Sequence, residues 1–135
     1  MRAKLSTMPR DEATREQIRL ALLAELEYGW LARITTSNLA LRLGFTFPEI
    51  DDLRLAIDET VILLLRPEGV SGEITMTFSV EPTGLVIDAV TTAGSDQAWV
   101  DQGALGRFEA IIGDTVDVYE VDESGHHVHL VKRHT

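Results

Sequence analysis

Residues 46–66 read TFPEIDDLRLAIDETVILLLR, and this stretch decides the fold class. Its apolar residues recur at three- and four-residue steps, as they do on the buried face of an amphipathic helix. They are Ile50, Leu53, Ile57, Val61 and Leu64. Thr46 is placed to cap the first turn and Pro48 suits a helix start, so the stretch predicts a helix that ends near Arg66.

Two further helices are predicted, one on each side of this stretch. The spacing is helical from Tyr28 to Leu43, and Gly44 follows where a glycine commonly ends a helix. The apolar positions of this helix are Leu31, Ile34, Leu39 and 41–43. Residues 98–112 predict the third helix, which Gly113 closes.

Five runs of mostly alternating residues predict strands. They are 18–26, 73–80, 85–90, 115–121 and 126–131. The first run could also begin a helix, and we favour a strand. The resulting order is β-α-α-β-β-α-β-β, which predicts an α+β fold: a two-layer α/β sandwich with helices on one face of a mixed, mainly antiparallel sheet. Residues 17–135 are expected to form one domain, preceded by a flexible arm over 1–16.

Composition and charge exclude several kinds of site and partner. The 135 residues are 44% hydrophobic and contain no cysteine, which excludes disulfides and thiolate chemistry. The N-terminus lacks the apolar core of a signal peptide, so we expect a cytoplasmic protein without membrane contact. Residues 20–131 hold five basic and nineteen acidic residues, and such a body repels nucleic acid. It could attract a basic partner surface, or the acidity could simply keep the protein in solution.

Residues 50–60, IDDLRLAIDET, resemble the second-helix motif of the anti-sigma-factor serine kinases. This RsbW-like family lies in the GHKL (histidine-kinase-like) ATPase superfamily, and its motif runs approximately Leu-x-x-Ala-x-x-Glu-x-x-x-Asn. Residues 113–118 and 127–133 are similar to the family's closing strands, and the element order matches over about 18–133. The resemblance implies a Bergerat-type sandwich.

The resemblance also implies a function and partners. Members of the family bind a sigma factor and block its access to RNA polymerase. Many use Mg-ATP to phosphorylate a serine of an antagonist protein, and they are commonly homodimers. We therefore expect a sigma factor, its antagonist or both as partners, and a homodimer.

On the predicted second helix, Glu59 matches the family's acidic residue, a general base or water positioner. The alternative for Glu59 is an exposed helix carboxylate that pairs with a neighbour. One turn later the family ligates Mg²⁺ through Asn, whereas this chain has Leu63. Leucine offers none of the oxygen ligands that Mg²⁺ requires.

The two nucleotide-binding loops of the family are only partly matched. Thr92 stands at the position of the adenine-binding Asp, and Gly94 remains as a glycine. In the phosphate lid Gly103 remains, but Leu105 replaces a glycine and its Cβ hinders close approach to a phosphate. These substitutions predict weakened or lost binding of ATP and Mg²⁺, and therefore a regulator that binds proteins.

Two other functions stay open beside the regulator. One is an active ATP-dependent serine kinase with substituted ligands. The other is a metabolite-binding module with an apolar pocket lined by Leu63, Val90 and Phe108.

Histidine and tryptophan residues give weaker signals. His127 and His129 would share one face of a strand and could ligate a metal. Because no third ligand stands at a readable spacing, we favour solvent-facing strand residues and expect no metal. Trp30 and Trp99 are interpreted as core or partly buried packing, with interface anchors as the alternative.

Overall fold

The computed structural model describes residues 16–66, 70–94 and 101–135. Five strands and three helices occur there in the predicted order. They are β1 (Gln17–Leu23), α1 (Gly29–Arg42), α2 (Phe47–Leu64), β2 (Glu73–Glu81), β3 (Gly84–Thr91), α3 (Gln102–Ile112), β4 (Val118–Val121) and β5 (His127–Arg133). The predicted arm over 1–16 lies outside the described residues except for Glu16.

The strands form one sheet in the order β1-β2-β3-β5-β4. All four described pairings are antiparallel, so this part of the sheet is antiparallel rather than mixed. Alternate residues of β2, Ile74, Met76 and Phe78, are buried in the same core as the apolar stripe of α2. The two-layer prediction is confirmed, and the second face of the sheet carries partly exposed polar and apolar residues.

Helix α2 begins and packs as its sequence predicts. The Thr46 hydroxyl accepts a hydrogen bond from the backbone N–H of Glu49 at 3.3 Å, and the Glu49 carboxylate accepts one from the Thr46 N–H at 2.8 Å. This reciprocal capping box satisfies two N–H groups that the helix itself cannot. All five residues of the predicted apolar stripe are buried.

Helix α1 packs through small side chains and Leu39, whereas several of its large apolar side chains are exposed. Ala32, Thr36 and Ala40 are fully buried, whereas Ile34 is 49% and Leu41 58% exposed. The Thr36 hydroxyl donates to the Ala32 carbonyl at 2.8 Å, which satisfies this polar group inside the core. The helix therefore presents apolar residues on its outer face as well.

Several element boundaries differ from the prediction. β1 ends at Leu23 because a 3₁₀ turn follows over Leu26–Tyr28. β4 begins at Val118, since Thr115 closes a turn on Ile112 through an N–H to carbonyl bond of 2.9 Å. Helix α3 begins at Gln102, and residues 98–100 lie outside the described part. No described helix has the length and hydropathy needed to cross a bilayer.

Candidate functional site

A cavity of about 140 Å³ lies between the end of α2, the start of α3 and the turn that joins β4 to β5. Its described lining residues are Ile62, Leu63, Leu65, Asp101, Ala104, Leu105, Val121 and Gly125. Leu63 and Leu105, two of the substituted positions of the predicted ATP site, therefore line the same cavity. Neither side chain can ligate a metal or hydrogen-bond a phosphate.

Arg66 joins two walls of this cavity. Its guanidinium donates to the Leu64 carbonyl at 3.2 Å and to the Gly125 carbonyl at 2.8 Å. Burial lowers the pKa of Arg66, and the nearby Asp122 carboxylate opposes that effect. The guanidinium still remains charged near neutral pH, so it holds the C-terminus of α2 against the β4–β5 turn.

Glu59 is buried, with only 6% of its surface exposed. Its Oε2 lies 3.2 Å from Nη2 of Arg107 on α3. The alternative prediction for Glu59 is an exposed carboxylate that pairs with a neighbour. The predicted exposure is wrong, and the predicted pairing is confirmed. The ion pair links α2 to α3, and Glu59 is not among the described residues that line the cavity.

The other predicted nucleotide-site residues are not among the described residues that line the cavity. The Thr92 hydroxyl accepts a hydrogen bond from the Glu73 N–H at 2.9 Å, so it serves the start of β2. Gly94 has a φ of +64°, a conformation that favours glycine. The Gly94 carbonyl lies 3.0 Å from Nε2 of His126. Gly103 is exposed in the first turn of α3.

The apolar pocket expected around Leu63, Val90 and Phe108 is wrong in two of its three residues. Leu63 does line the cavity. Val90 is 42% exposed, because strand alternation directs it to the face opposite the core residue Ala89. Phe108 is 1% exposed and meets the ring of Tyr119 edge-on, with 6.2 Å between ring centroids, so it belongs to the core.

His127 and His129 share one face of β5, as predicted, and both contact Asp88 of β3. The distances to Asp88 Oδ1 are 2.9 Å from His127 Nε2 and 2.8 Å from His129 Nδ1. Burial would raise the pKa of Asp88, but the hydrogen bonds from His129 and His127 outweigh it, so the pKa is lowered. Within residues 16–66, 70–94 and 101–135, no group of three or more acidic, histidine or cysteine residues could hold a metal ion.

Asp88 is not predicted as a site residue from the sequence, because the sequence does not give the pairing of β3 with β5. In the structure Asp88 stands directly opposite His129. Alternation predicts the face of each residue on its own strand, but it does not give the pairing of the two strands.

A second surface feature lies on the outer face of α1. Trp30 is 51% exposed and forms an exposed apolar stripe with Ile34 and Leu41. Ile34 and Leu41 also line a groove beside α2, together with Arg33, Ser37, Asn38 and Arg54. Trp30 is therefore not a core residue, since about half of it is exposed, and Trp99 lies outside the described residues.

The fold defines a class: in the part of the chain that the structure describes, it is an antiparallel two-layer α/β sandwich of five strands and three helices. No family model matches the chain. The chain is similar to the serine-protein kinase RsbW of Bacillus pumilus (strain SAFR-032), with 28% identity over 124 residues, 88% of this chain and 74% of that protein. The predicted resemblance to RsbW is confirmed.

Two other RsbW proteins match over shorter segments. For Bacillus subtilis (strain 168) the identity is 32% over 68 residues, 48% of this chain and 42% of the relative. For Bacillus cereus (strain B4264) it is 34% over 77 residues, 55% of this chain and 48% of the relative. The chain thus matches less than half the length of these two curated relatives.

Proposed function

We propose that the chain is an anti-sigma factor or an anti-sigma-like regulator, which binds a sigma factor or its antagonist and has weakened or lost ATP binding. The similarity to serine-protein kinases named RsbW supports this class. The observation that carries protein binding is the exposed apolar stripe of α1. A homodimer, a histidine-kinase-like (GHKL) fold and action in the cytoplasm are parts of the same proposal.

The stripe has the composition of a protein-binding surface. Trp30, Ile34 and Leu41 are each about half exposed, and tryptophan is enriched among residues that dominate binding energy. Arg33 lies in the same groove and is held by Asp58 at 3.0 Å. The groove therefore fits a partner segment with apolar residues and a carboxylate that can reach Arg33 or Arg54.

The loss of ATP binding is supported by the lining of the cavity. Mg²⁺ needs oxygen ligands, and phosphates are bound by backbone N–H groups that approach closely at glycines. Leu63 and Leu105 supply neither. Binding of Mg-ATP would therefore lose both its metal clamp and its phosphate cradle.

An active ATP-dependent serine kinase is the second candidate, and one observation favours it. The Glu59 carboxylate is retained and is held in a fixed position by Arg107 at 3.2 Å. A fixed carboxylate is suited to orienting a hydroxyl or a water molecule. Transfer of labelled phosphate from ATP to a serine of an antagonist, abolished in Glu59→Gln, would establish this alternative.

The regulator proposal is tested by tagging the chain, recovering bound proteins from its source cells and identifying them. We expect a sigma factor or an antagonist to bind the wild type and to be lost with Ile34→Asp. Leu23→Asp is a matched control, because Leu23 is 51% exposed and lies on β1, away from the groove. Recovery of metabolic enzymes alone would contradict the regulator proposal.

Calorimetric titration with Mg-ATP tests the second half of the proposal. We expect no binding in the micromolar range. Micromolar affinity would contradict the loss of ATP binding while leaving the partner proposal intact.

A further inference from the structure

We propose that the cavity between α2 and α3 is a binding site for a small, uncharged, apolar molecule about the size of a single aromatic ring. This site goes beyond the proposed regulator function, which requires no small ligand. The inference rests on the cavity's lining, volume, surrounding charge and fixed walls.

The described lining has six apolar side chains among its eight residues. It includes Leu63 and Leu65 from the end of α2, Leu105 from α3 and Val121 from β4. The one charged member is Asp101, whose Oδ1 accepts a hydrogen bond from the Ala104 N–H at 3.1 Å and so caps α3. Since this carboxylate already serves the helix, the site selects its ligand through apolar contact.

The volume sets the size of the ligand. The cavity measures about 140 Å³. An engineered apolar cavity of about 150 Å³, lined by Leu, Ile and Phe in another protein, stays dry and binds benzene or xenon. A similar volume accommodates one aromatic ring.

The charges around the cavity disfavour anions. Leu105 and Val121 also line a neighbouring open hollow that contains four acidic residues, which are Glu109, Glu120, Asp122 and Glu123. A phosphate entering from this side would meet like charges. The surroundings therefore select against nucleotides and in favour of uncharged molecules.

The walls are held in place before a ligand arrives. Arg66 connects the C-terminus of α2 to the Gly125 carbonyl at 2.8 Å. Arg107 connects α3 to the buried Glu59 of α2 at 3.2 Å. These two links fix the positions of the three walls relative to one another, and largely preformed pockets are typical of small-molecule sites.

Benzene is a suitable probe, followed by NMR of the methyl groups of the full chain. We expect saturable shifts of the Leu63, Leu65 and Leu105 methyl resonances. Leu63→Asn places an amide in the cavity wall and is expected to weaken benzene binding at least tenfold. The reason is that bound benzene would remove water from this amide without replacing its hydrogen bonds. Leu55→Asn is the matched control: it makes the same change on the same helix at a position that is 43% exposed.

A second variant covers the case in which Leu63→Asn does not fold. Ala104→Leu fills the cavity with apolar atoms and is also expected to abolish benzene binding. Benzene that leaves the cavity methyl groups unshifted, or that binds Ala104→Leu as well as the wild type, would overturn the inference. Mg-ATP that shifts the same methyl groups at micromolar concentration would also overturn it, in favour of a nucleotide site.

The outcome is independent of partner binding. Failure to capture a sigma factor or an antagonist would leave the benzene result unaffected. A cavity that rejects benzene would equally leave the stripe on α1 untouched as a protein-binding surface.

Discussion

The ion pair between Glu59 and Arg107 should stabilise the packing of α3 on α2, and its strength can be worked from the structure. The atoms are 3.2 Å apart, and the side chain of Glu59 is 7% exposed whereas that of Arg107 is 62% exposed. At this distance Coulomb's law gives about 1.3 kcal/mol in water and about 5 kcal/mol at an effective dielectric constant of about 20. Because solvent screens the arginine, we expect a coupling energy near the lower limit, about 1–2 kcal/mol.

A double-mutant cycle measures this coupling directly. Arg107→Met removes the charge but keeps a long apolar side chain, and Glu59→Gln removes the opposite charge. Urea unfolding of the wild type, both single variants and the double variant gives the coupling energy. We expect Arg107→Met to cost about 2 kcal/mol, because it leaves a buried carboxylate without its partner.

A surface pair on the same helix provides the control. Arg54 lies 3.7 Å from Asp51, and both side chains are about half exposed or more. Removing this pair should change the free energy of unfolding by less than about 0.5 kcal/mol. If the coupling of Glu59 to Arg107 is no larger than that of the control, the reasoning from burial is wrong.

Three further predictions concern the cap, the core and the histidine cluster. Thr46→Ala removes half of the capping box and should cost about 1 kcal/mol in urea unfolding, and no change would mean that the cap is formed by another group. Leu53→Ala should cost about 2–5 kcal/mol, since Leu53 is fully buried and the helix cannot close the cavity; a cost below about 1 kcal/mol would contradict that packing. The lowered pKa of Asp88 means that its contact with His127 and His129 stabilises the fold above the carboxyl's ordinary pKa of 3.8, and that this stability is lost as the pH falls through the folded-state value. The difference in unfolding free energy between wild type and Asp88→Asn should therefore have its full value near pH 6 and shrink towards zero below pH 4. A difference that persists at low pH would refute the stabilising contact between Asp88 and the two histidines.

Helix α2 shows how much local sequence can predict. Its cap, its length and the burial of all five residues of its apolar stripe follow from the interval between Thr46 and Leu64. Each of these features depends on contacts within one helical turn or on one repeating spacing, so no knowledge of distant residues is needed.

Helix α1 shows where the same reasoning fails. The spacing of Ile34 and Leu41 indicates apolar positions but not which face of the helix is covered. The face that carries Ala32 and Ala40 is the buried one. Only the position of the neighbouring helix decides which face is buried. A face of small side chains can be buried because it allows the two helices to approach closely.

Some features of the candidate site likewise follow from the sequence, and others follow only from the fold. The absence of a metal ligand at residue 63 and of a glycine at residue 105 can be read directly from the chain. That Leu63 and Leu105 line one cavity, that Asp88 contacts two histidines and that Glu59 is buried against Arg107 are consequences of the fold. These contacts join residues far apart in sequence, and their existence depends on strand register and helix packing, which no local pattern of residues encodes.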